Sequence, residues 1–228
     1  MFQLFKNKQS QAASYYSNGV EKSRLKDFHG AITDFNKVLD INPNDEHAVF
    51  NRGLAKYALQ EYQGAIMDFE GCLKVNPSNR KAFLWIASSK NSMNDLHGAI
   101  HAFDRLLKLY PSDDVGYHYR AKAKYELNDF LGAIVDFNMC LKLNPQNDIA
   151  YFDRGYTNGR LKKYRTAIFD YDNAIALNPS DARLYYHRGL AKVELGETGN
   201  AGSDFTTAVQ LGALYASDDM MKYAFYGG

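Results

Sequence analysis

Apolar and small side chains recur at helical spacing along almost the whole chain, and this pattern repeats with a period of 34 residues. The clearest markers of the period are the prolines, because every gap between consecutive prolines is 34 residues. Proline lacks a backbone N–H and clashes with the preceding helical turn, so each one predicts the end of a helix. The five prolines are Pro43, Pro77, Pro111, Pro145 and Pro179.

Six units follow when proline is placed at position 32 of the repeat. A period of this length predicts stacked helical units, each in contact mainly with its neighbours. The predicted units are 12–45, 46–79, 80–113, 114–147, 148–181 and 182–215. Residues 1–11 are an N-terminal leader whose structure the repeat pattern leaves open, and residues 213–228 are predicted to form a C-terminal capping helix and tail. Apolar residues at helical spacing in that last segment are Leu214, Met221, Ala224 and Phe225.

Three columns of the repeat indicate how the two helices of a unit pack. Position 8 is always Gly or Ala and position 20 is always Ala, so two helix backbones can approach closely there. Position 24 is always aromatic and is predicted to fill the space between neighbouring helices. The aromatic residues of this column are Phe35, Phe69, Phe103, Phe137, Tyr171 and Phe205.

Polar columns predict where the helices begin, because Asp and Asn are good N-caps. Each unit is therefore predicted to be a helix, a short turn, a second helix and a turn. Caps for first helices stand at position 34, and the acidic residues at position 16 can cap second helices. The position-34 residues are Asp45, Asn79, Asp113, Asn147 and Asp181, and the position-16 residues are Asp27, Glu61, Asp95, Asp129 and Glu197. Single glycines at position 19, interpreted as inherited by duplication and tolerated in a helical first turn, are Gly30, Gly64, Gly98 and Gly132.

The period and these columns together resemble the tetratricopeptide repeat, over residues 12–215. The resemblance implies an all-α fold, a right-handed superhelical solenoid of antiparallel helix pairs. It also implies a concave groove, lined by the first helices, that binds a protein or peptide. Because this fold serves many partners, it does not identify the one bound here.

In the family, the usual contact positions are 2, 5, 9, 12 and 13, and some members also use position 6. On a helical wheel these positions lie away from the stripe that packs the core. Aromatic residues are frequent among them and are good anchors for a peptide, although about half are expected to be substantially buried. The predicted peptide-binding residues are Phe50, Asn51, Lys81, Leu84, Trp85, His118, Tyr119, Lys122, Tyr125, Phe152, Asp153, Tyr156, Arg160, Tyr186 and His187. Preferred anchors among them are Trp85 and the group of Tyr119, Phe152 and Tyr156.

One known specificity of the family can be tested by residue. Some members hold the acidic C-terminal tails of chaperones with a clamp of lysine, asparagine and arginine side chains. In the first three repeats the clamp positions hold Tyr16, Val20, Asn51, Lys81 and Trp85, of which only Asn51 and Lys81 match. A terminal carboxylate would lack most of its donors, so chaperone-tail binding is disfavoured.

Arginine at position 7 and aspartate at position 23 occur together in four repeats, and repeat three loses both, with Ile86 and Ala102 in their places. The joint loss predicts that the two columns contact each other as an ion pair. An arginine ladder for an acidic ligand is the less favoured interpretation. The predicted pairs are Arg52–Asp68, Arg120–Asp136, Arg154–Asp170 and Arg188–Asp204.

Composition narrows the functional classes. The formal net charge of the 228-residue chain is +1, which gives no long-range attraction to nucleic acid or anionic lipid. No apolar run is long enough for a membrane span or a secretory signal, so a cytoplasmic location is expected. Cys72 and Cys140 are interpreted as buried core residues that form no disulfide.

Other chemistry-bearing groups are weak signals. His97 and His101 have the spacing of two metal ligands, but the only nearby candidates for a third ligand are Asp95 and Asp104, so no metal is expected. A basic cluster at the turn of repeat five is interpreted as a solvated turn, with contact to an acidic partner as the alternative. Its residues are Arg160, Lys162, Lys163 and Arg165.

No nucleotide, zinc or nucleophile motif is present, so neither an enzyme nor a cofactor is expected. The predicted function is a non-catalytic scaffold that binds a peptide or helical segment of a partner protein. The alternative is a structural or self-associating, homo-oligomeric assembly protein that docks through its terminal apolar residues. Those residues are Phe2, Leu4, Phe5, Met220, Phe225 and Tyr226.

Overall fold

The computed structural model describes residues 2–224, and within them the chain is built from helices and turns without strands. Consecutive helices form antiparallel pairs, as the repeat pattern predicts. The all-α fold of paired helices is therefore confirmed. Contacts divide the chain into two compact units, residues 1–111 and residues 112–228.

In the first unit, three helix pairs correspond to the first three predicted repeats. Within this unit, the second helices of the first and second pairs also pack on the first helix of the pair that follows. The largest core cluster lies here, around Phe69, Phe83, Phe103 and Leu106. Its helices are α1 Phe2–Arg24, α2 Phe28–Ile41, α3 Glu46–Ala58, α4 Tyr62–Val75, α5 Arg80–Ser92 and α6 Leu96–Leu109.

The second unit repeats this arrangement and ends with a short additional helix that packs on α12. Its helices are α7 Asp114–Glu126, α8 Phe130–Leu143, α9 Asp148–Arg160, α10 Tyr164–Leu177, α11 Ala182–Glu194, α12 Thr198–Gln210 and α13 Ser217–Ala224, with a 3₁₀ turn at Leu214–Ala216 before α13.

Helical residues extend beyond the six predicted repeats at both ends of the described chain. Helix α1 begins at Phe2, so most of the leader 1–11 continues the first helix of repeat one. In the C-terminal segment, the Tyr223 ring lies 5.7 Å from the buried Phe205 ring, while Leu214 and Met221 are exposed. Phe225 and Tyr226 lie outside the described residues.

Small residues at position 8 are required by the aromatic column. A Cβ atom added at Gly53 would lie 2.8 Å from a ring carbon of Phe69, and one added at Gly189 would lie 2.7 Å from Phe205. The ring of position 24 therefore packs directly on the backbone of the first helix of its own unit. The predicted close approach of the two helices is confirmed.

The predicted N-caps of the first helices are confirmed, since every position-34 side chain accepts a backbone N–H of the helix that follows. At position 16, Asp27, Asp95 and Asp129 cap second helices, but Glu61 and Glu197 make no side-chain cap hydrogen bond. The prediction that glutamate caps here is therefore wrong. Glutamate carries one more methylene group, and it is a poorer N-cap than aspartate.

The position-19 glycines also have a physical reason that the duplication interpretation missed. A Cβ atom at Gly30, Gly98 or Gly132 would lie 2.1 Å from a carboxylate oxygen of the capping aspartate. At Gly64, which follows Glu61, it would meet only the Lys56 side chain, at 3.3 Å. Glycine thus makes room for the aspartate cap in three of the four units.

The predicted Arg–Asp pairs are confirmed in all four repeats, with N–O distances of 2.5–2.6 Å to aspartates that are nearly fully buried. A third residue that the sequence prediction missed joins most of them. Lysine at position 11 reaches the same carboxylate at 2.6–2.9 Å in repeats one, two, four and six. The signal for it was a lysine column in five of the six repeats. Those lysines are Lys22, Lys56, Lys90, Lys124 and Lys192.

Repeats one, three and five depart from this triad. In repeat one Asn18 stands in place of the arginine, and Lys37 bonds to Asp34 at 3.0 Å. In repeat three both replacing residues, Ile86 and Ala102, are buried, and Lys90 bonds instead to Asp95 at 3.0 Å. In repeat five the lysine is replaced by Asn158, whose amide donates to Asp170 at 3.1 Å. Burial raises the pKa of Asp170 above its ordinary value, although the hydrogen bonds from Arg154 and Asn158 act in the opposite direction.

Candidate functional site

A pocket of ≈ 270 Å³ lies among the first helices of the second unit, and we call it the aromatic pocket. Its walls come from α7, α9 and α11, and the buried Phe137 of α8 and the buried Thr157 of α9 also line it. Its lining residues are Lys122, Tyr125, Glu126, Phe137, Phe152, Asp153, Tyr156, Thr157 and His187.

The rings of the aromatic pocket support one another. Phe152 stacks on Tyr156 with centroids 6.2 Å apart, and Tyr125 lies 5.8 Å from Tyr156. His187 presents its edge to Phe152 at 5.3 Å and to Tyr156 at 5.2 Å. Such edge and offset contacts favour a fixed arrangement, so the pocket walls are preorganised.

His187 behaves as an apolar wall at neutral pH. Burial lowers its pKa to about 4, and the neighbouring Arg183 acts in the same direction. The imidazole is therefore uncharged near pH 7. Arg183 itself lies over the Phe152 ring, 5.3 Å from the centroid.

The rim of the aromatic pocket is polar and carries both signs of charge. Lys122 and Glu126 are exposed and stand four residues apart on α7, so they share one face of that helix. Asp153 is bonded to His118, with 2.8 Å between Oδ2 and Nε2. An apolar interior with a charged rim suits an amphipathic guest more than a single ion.

Several predicted site residues are held by neighbouring repeats across the same face. The Asn51 amide donates to the Tyr16 hydroxyl at 2.9 Å, and His118 contacts Asp153 as described above. Arg160 donates to the Tyr125 hydroxyl at 3.1 Å. Each of these pairs joins residues 35 positions apart. The repeat columns of the sequence did not predict these three contacts.

Three family models match the chain. Models described as tetratricopeptide repeat match residues 12–45, 46–79 and 81–113, and a model described as TPR repeat matches residues 160–196. Together they cover more than half of the sequence. The chain belongs to the tetratricopeptide repeat family.

Solved structures with this fold agree with the family assignment. A TPR repeat-containing protein from Cytophaga hutchinsonii has a TM-score of 0.78 at 17% identity, covering 92% of this chain and 85% of that one. YrrB, described as a TPR protein with an unusual peptide-binding site, has a TM-score of 0.67 at 15% identity, covering 81% and 96%. MamA has a TM-score of 0.67 at 22% identity, covering 72% and 96%. At these identities the likeness shows the fold. No curated protein sequence matches the chain.

In the first unit, the tetratricopeptide contact positions are partly absorbed into the core. Trp85 is half-buried between Tyr57, at 4.9 Å, and Phe69, at 6.1 Å. Phe50 and Leu84 pack on the same cluster, whereas Lys81 is exposed. Trp85 is therefore a less accessible anchor than the sequence suggested.

The predicted binding residues divide by exposure. His118 is buried, with 8% of its surface exposed, whereas Tyr119 and Tyr156 are 49% and 38% exposed. The remaining predicted residues are half-buried, apart from the exposed Lys81, Lys122 and Arg160. The half-buried group is Phe50, Asn51, Leu84, Trp85, Tyr125, Phe152, Asp153, Tyr186 and His187.

The other candidate groups carry little chemistry. Both cysteines are free and buried, and burial raises the pKa of Cys72 to about 12 and that of Cys140 to about 11. His97 and His101 are exposed, and no group of three or more possible metal ligands occurs within residues 2–224. In that same range, no helix is both long and apolar enough to cross a membrane.

Proposed function

We propose that this tetratricopeptide protein is a non-catalytic interaction scaffold that binds a peptide or helical segment of a partner protein along its first helices. The aromatic pocket is the observation that carries the proposal. Rigid aromatic walls in a preformed concavity, surrounded by polar groups, are the features of interface hot spots.

Size and chemistry favour one large side chain of the partner as the guest. A pocket of ≈ 270 Å³ can enclose a single bulky residue, and its ring walls offer edge and face contacts to an aromatic or long aliphatic group. Lys122 and Glu126 at the rim can then bond to the polar groups on either side of that residue. Asp153 and His118 satisfy each other and position the wall between them.

Capture of partners from a native lysate tests the proposal when two single variants are compared. Tyr156→Ala removes an exposed wall of the aromatic pocket, and Phe169→Ala removes a ring that is 62% exposed on α10 and does not line the pocket. We expect Tyr156→Ala to lose specific partners or weaken them by about tenfold or more, as truncation of a hot-spot ring does. Phe169→Ala should retain them.

Equal recovery with the wild-type chain and with Tyr156→Ala, at matched thermal stability, would show that the aromatic pocket is not the binding surface. If instead Phe169→Ala recovers a partner that Tyr156→Ala loses, that partner is identified and its contact segment is mapped with overlapping peptides.

Self-association is the second candidate function. Leu214 and Tyr215, next to the last helix, are 75% and 59% exposed, which leaves apolar surface near the C-terminal end of the second unit. Light scattering across a concentration series tests this alternative, and a constant monomer mass would exclude it. The proposed scaffold role requires no cofactor, and the cytoplasmic location stays a prediction from the sequence.

A further inference from the structure

A hydrogen bond between two columns recurs within the repeats and ties the start of a first helix to the end of its second helix. Asn76 donates to Glu46 at 3.1 Å in repeat two. The corresponding bonds are Asn144 to Asp114 at 2.9 Å in repeat four and Asn178 to Asp148 at 2.9 Å in repeat five. In each case an asparagine at position 31 bonds to a carboxylate at position 1.

Repeat one keeps the asparagine and lacks the carboxylate. Asn42 stands at position 31, but position 1 holds Ala12 on α1. Asn42 is exposed, and its side chain makes no hydrogen bond with any residue that the structure describes. The other repeats without the acid, three and six, have Tyr110 and Gly212 in place of the asparagine, so repeat one alone has the donor without its partner.

A pocket of ≈ 580 Å³ lies at this place, and we call it the N-terminal pocket. It is formed by α1, the end of α2 and the beginning of α3, and apolar side chains make up part of its wall. Its lining residues are Lys8, Gln9, Ala12, Ala13, Tyr16, Val38, Ile41, Asn42, Asp45 and His47. The small side chain of Ala12 leaves space where repeats two, four and five place an acidic group.

The polar lining favours a carboxylate. Lys8 carries a positive charge, and Gln9, Asn42 and His47 can each donate a hydrogen bond. The one acidic lining residue, Asp45, already accepts the backbone N–H of Ala48 at 2.9 Å as the N-cap of α3. A ligand carboxylate would therefore meet several donors, and Asp45 is already engaged in a backbone bond.

We propose that the N-terminal pocket binds an acidic side chain of a partner peptide, together with an apolar neighbour of that side chain. The carboxylate takes the place that Glu46, Asp114 and Asp148 occupy in their own repeats and accepts a hydrogen bond from Asn42. The apolar neighbour packs against Ala12, Val38 and Ile41. This site is separate from the aromatic pocket of the second unit and does not depend on the function proposed for it.

The first test restores the carboxylate within the chain. Ala12→Glu puts an acidic side chain at position 1 of repeat one, as in repeat two, and Ala12→Gln is the control of equal size without charge. The Asn42 side-chain amide resonances in a ¹H–¹⁵N spectrum should shift with Ala12→Glu and move much less with Ala12→Gln. If the two variants leave the Asn42 amide at the same position, the assignment of the vacant acceptor is wrong.

The second test uses defined peptides with both ends blocked, of sequence Ala-Leu-Glu-Leu-Ala and Ala-Leu-Gln-Leu-Ala. Each peptide is titrated into the full chain, and the shift of the Asn42 side-chain amide reports binding. The dissociation constant of the glutamate peptide should be at least about tenfold lower than that of the glutamine peptide, as expected for charge-assisted hydrogen bonds. Ala12→Glu should abolish this binding, and Ala12→Gln should weaken it less.

Equal binding of the two blocked peptides would overturn the proposal, and so would an absence of binding by both. A glutamine peptide with a free C-terminus distinguishes a terminal carboxylate from a side chain. If only that peptide bound, the commitment to an acidic side chain would be refuted. Tyr156→Ala should leave all of these titrations unchanged, so the two proposed sites can fail independently.

Discussion

Asp68 provides the sharpest test of how the two helices of a repeat are held together. Its side chain is 5% exposed and accepts hydrogen bonds from Arg52 Nη2 at 2.6 Å and Nε at 3.0 Å. Lys56 Nζ lies 2.9 Å from Oδ2, the oxygen that also accepts from Arg52 Nε. Asp68→Ala would therefore leave two cations without their shared carboxylate in a mostly buried place.

The loss of stability expected for Asp68→Ala depends on how deeply the ion pair is buried. Removing one partner of a buried ion pair costs about 3–5 kcal/mol. Arg52 and Lys56 keep 23% and 20% of their side-chain surface exposed, so water recovers part of this cost. We expect Asp68→Ala to lower the free energy of unfolding by about 2–4 kcal/mol.

Repeat three shows which residues can replace the ion pair. Ile86 and Ala102 stand at the positions of the arginine and the aspartate there, and both are buried. Arg52→Ile combined with Asp68→Ala reproduces that apolar pair. The double variant should lose less stability than the sum of the two single variants by about 1.5 kcal/mol or more.

Urea denaturation of the wild type, both single variants and the double variant measures this coupling. Arg24→Ala is the control, since Arg24 and Glu21 form an exposed ion pair and its loss should stay within about 0.5 kcal/mol. Additive effects within about 0.5 kcal/mol at Arg52 and Asp68 would refute the reasoning that the pair acts as a unit.

Two further predictions concern stability. Asn158→Lys gives Asp170 the second cation that most other repeats have. It should raise the free energy of unfolding, measured by denaturation, by about 1 kcal/mol and lower the pKa of Asp170, measured by carboxyl NMR titration. A loss of stability would contradict this prediction. Gln60 has φ of 62°, a conformation that glycine adopts without strain. Gln60→Gly should therefore stabilise the protein by about 0.5–1 kcal/mol, measured by thermal unfolding. Ala58→Gly, in the preceding helix, is the control and should destabilise the protein by a similar amount.

The turn at position 15 shows a limit of the sequence pattern. Lys26, Gln60, Asn94, Asn128 and Lys162 all adopt φ between 57° and 62°, and Gly196 occupies the same position of repeat six. A column with one glycine and several unrelated side chains gives little signal for a left-handed residue. The geometry is that of a Schellman helix end, in which the backbone N–H after the left-handed residue bonds to the carbonyl five residues earlier, as Asp27 does to Lys22 at 2.8 Å and Glu61 to Lys56 at 2.9 Å.

The sequence by itself determined the repeat, the helix ends and the contacts within one unit. Each of these features depends on particular residue types at fixed positions, such as the proline at position 32 or the Arg–Asp pair. Because the repeat is duplicated, the same residues recur every 34 positions, and the sequence shows them as columns. Even there, the third member of the triad was visible as a lysine column and was missed.

Only the tertiary structure decided which of the predicted binding residues remain accessible. The Tyr16–Asn51 and His118–Asp153 contacts both join position 5 to position 6 of the next repeat, and the Tyr125–Arg160 contact joins position 12 to position 13, with different residue types in each case. No column records such a contact, because it depends on how neighbouring first helices pack. Packing also produces the aromatic pocket, where rings from four helices meet, and the N-terminal pocket, where Ala12 leaves Asn42 without the acid that repeats two, four and five supply.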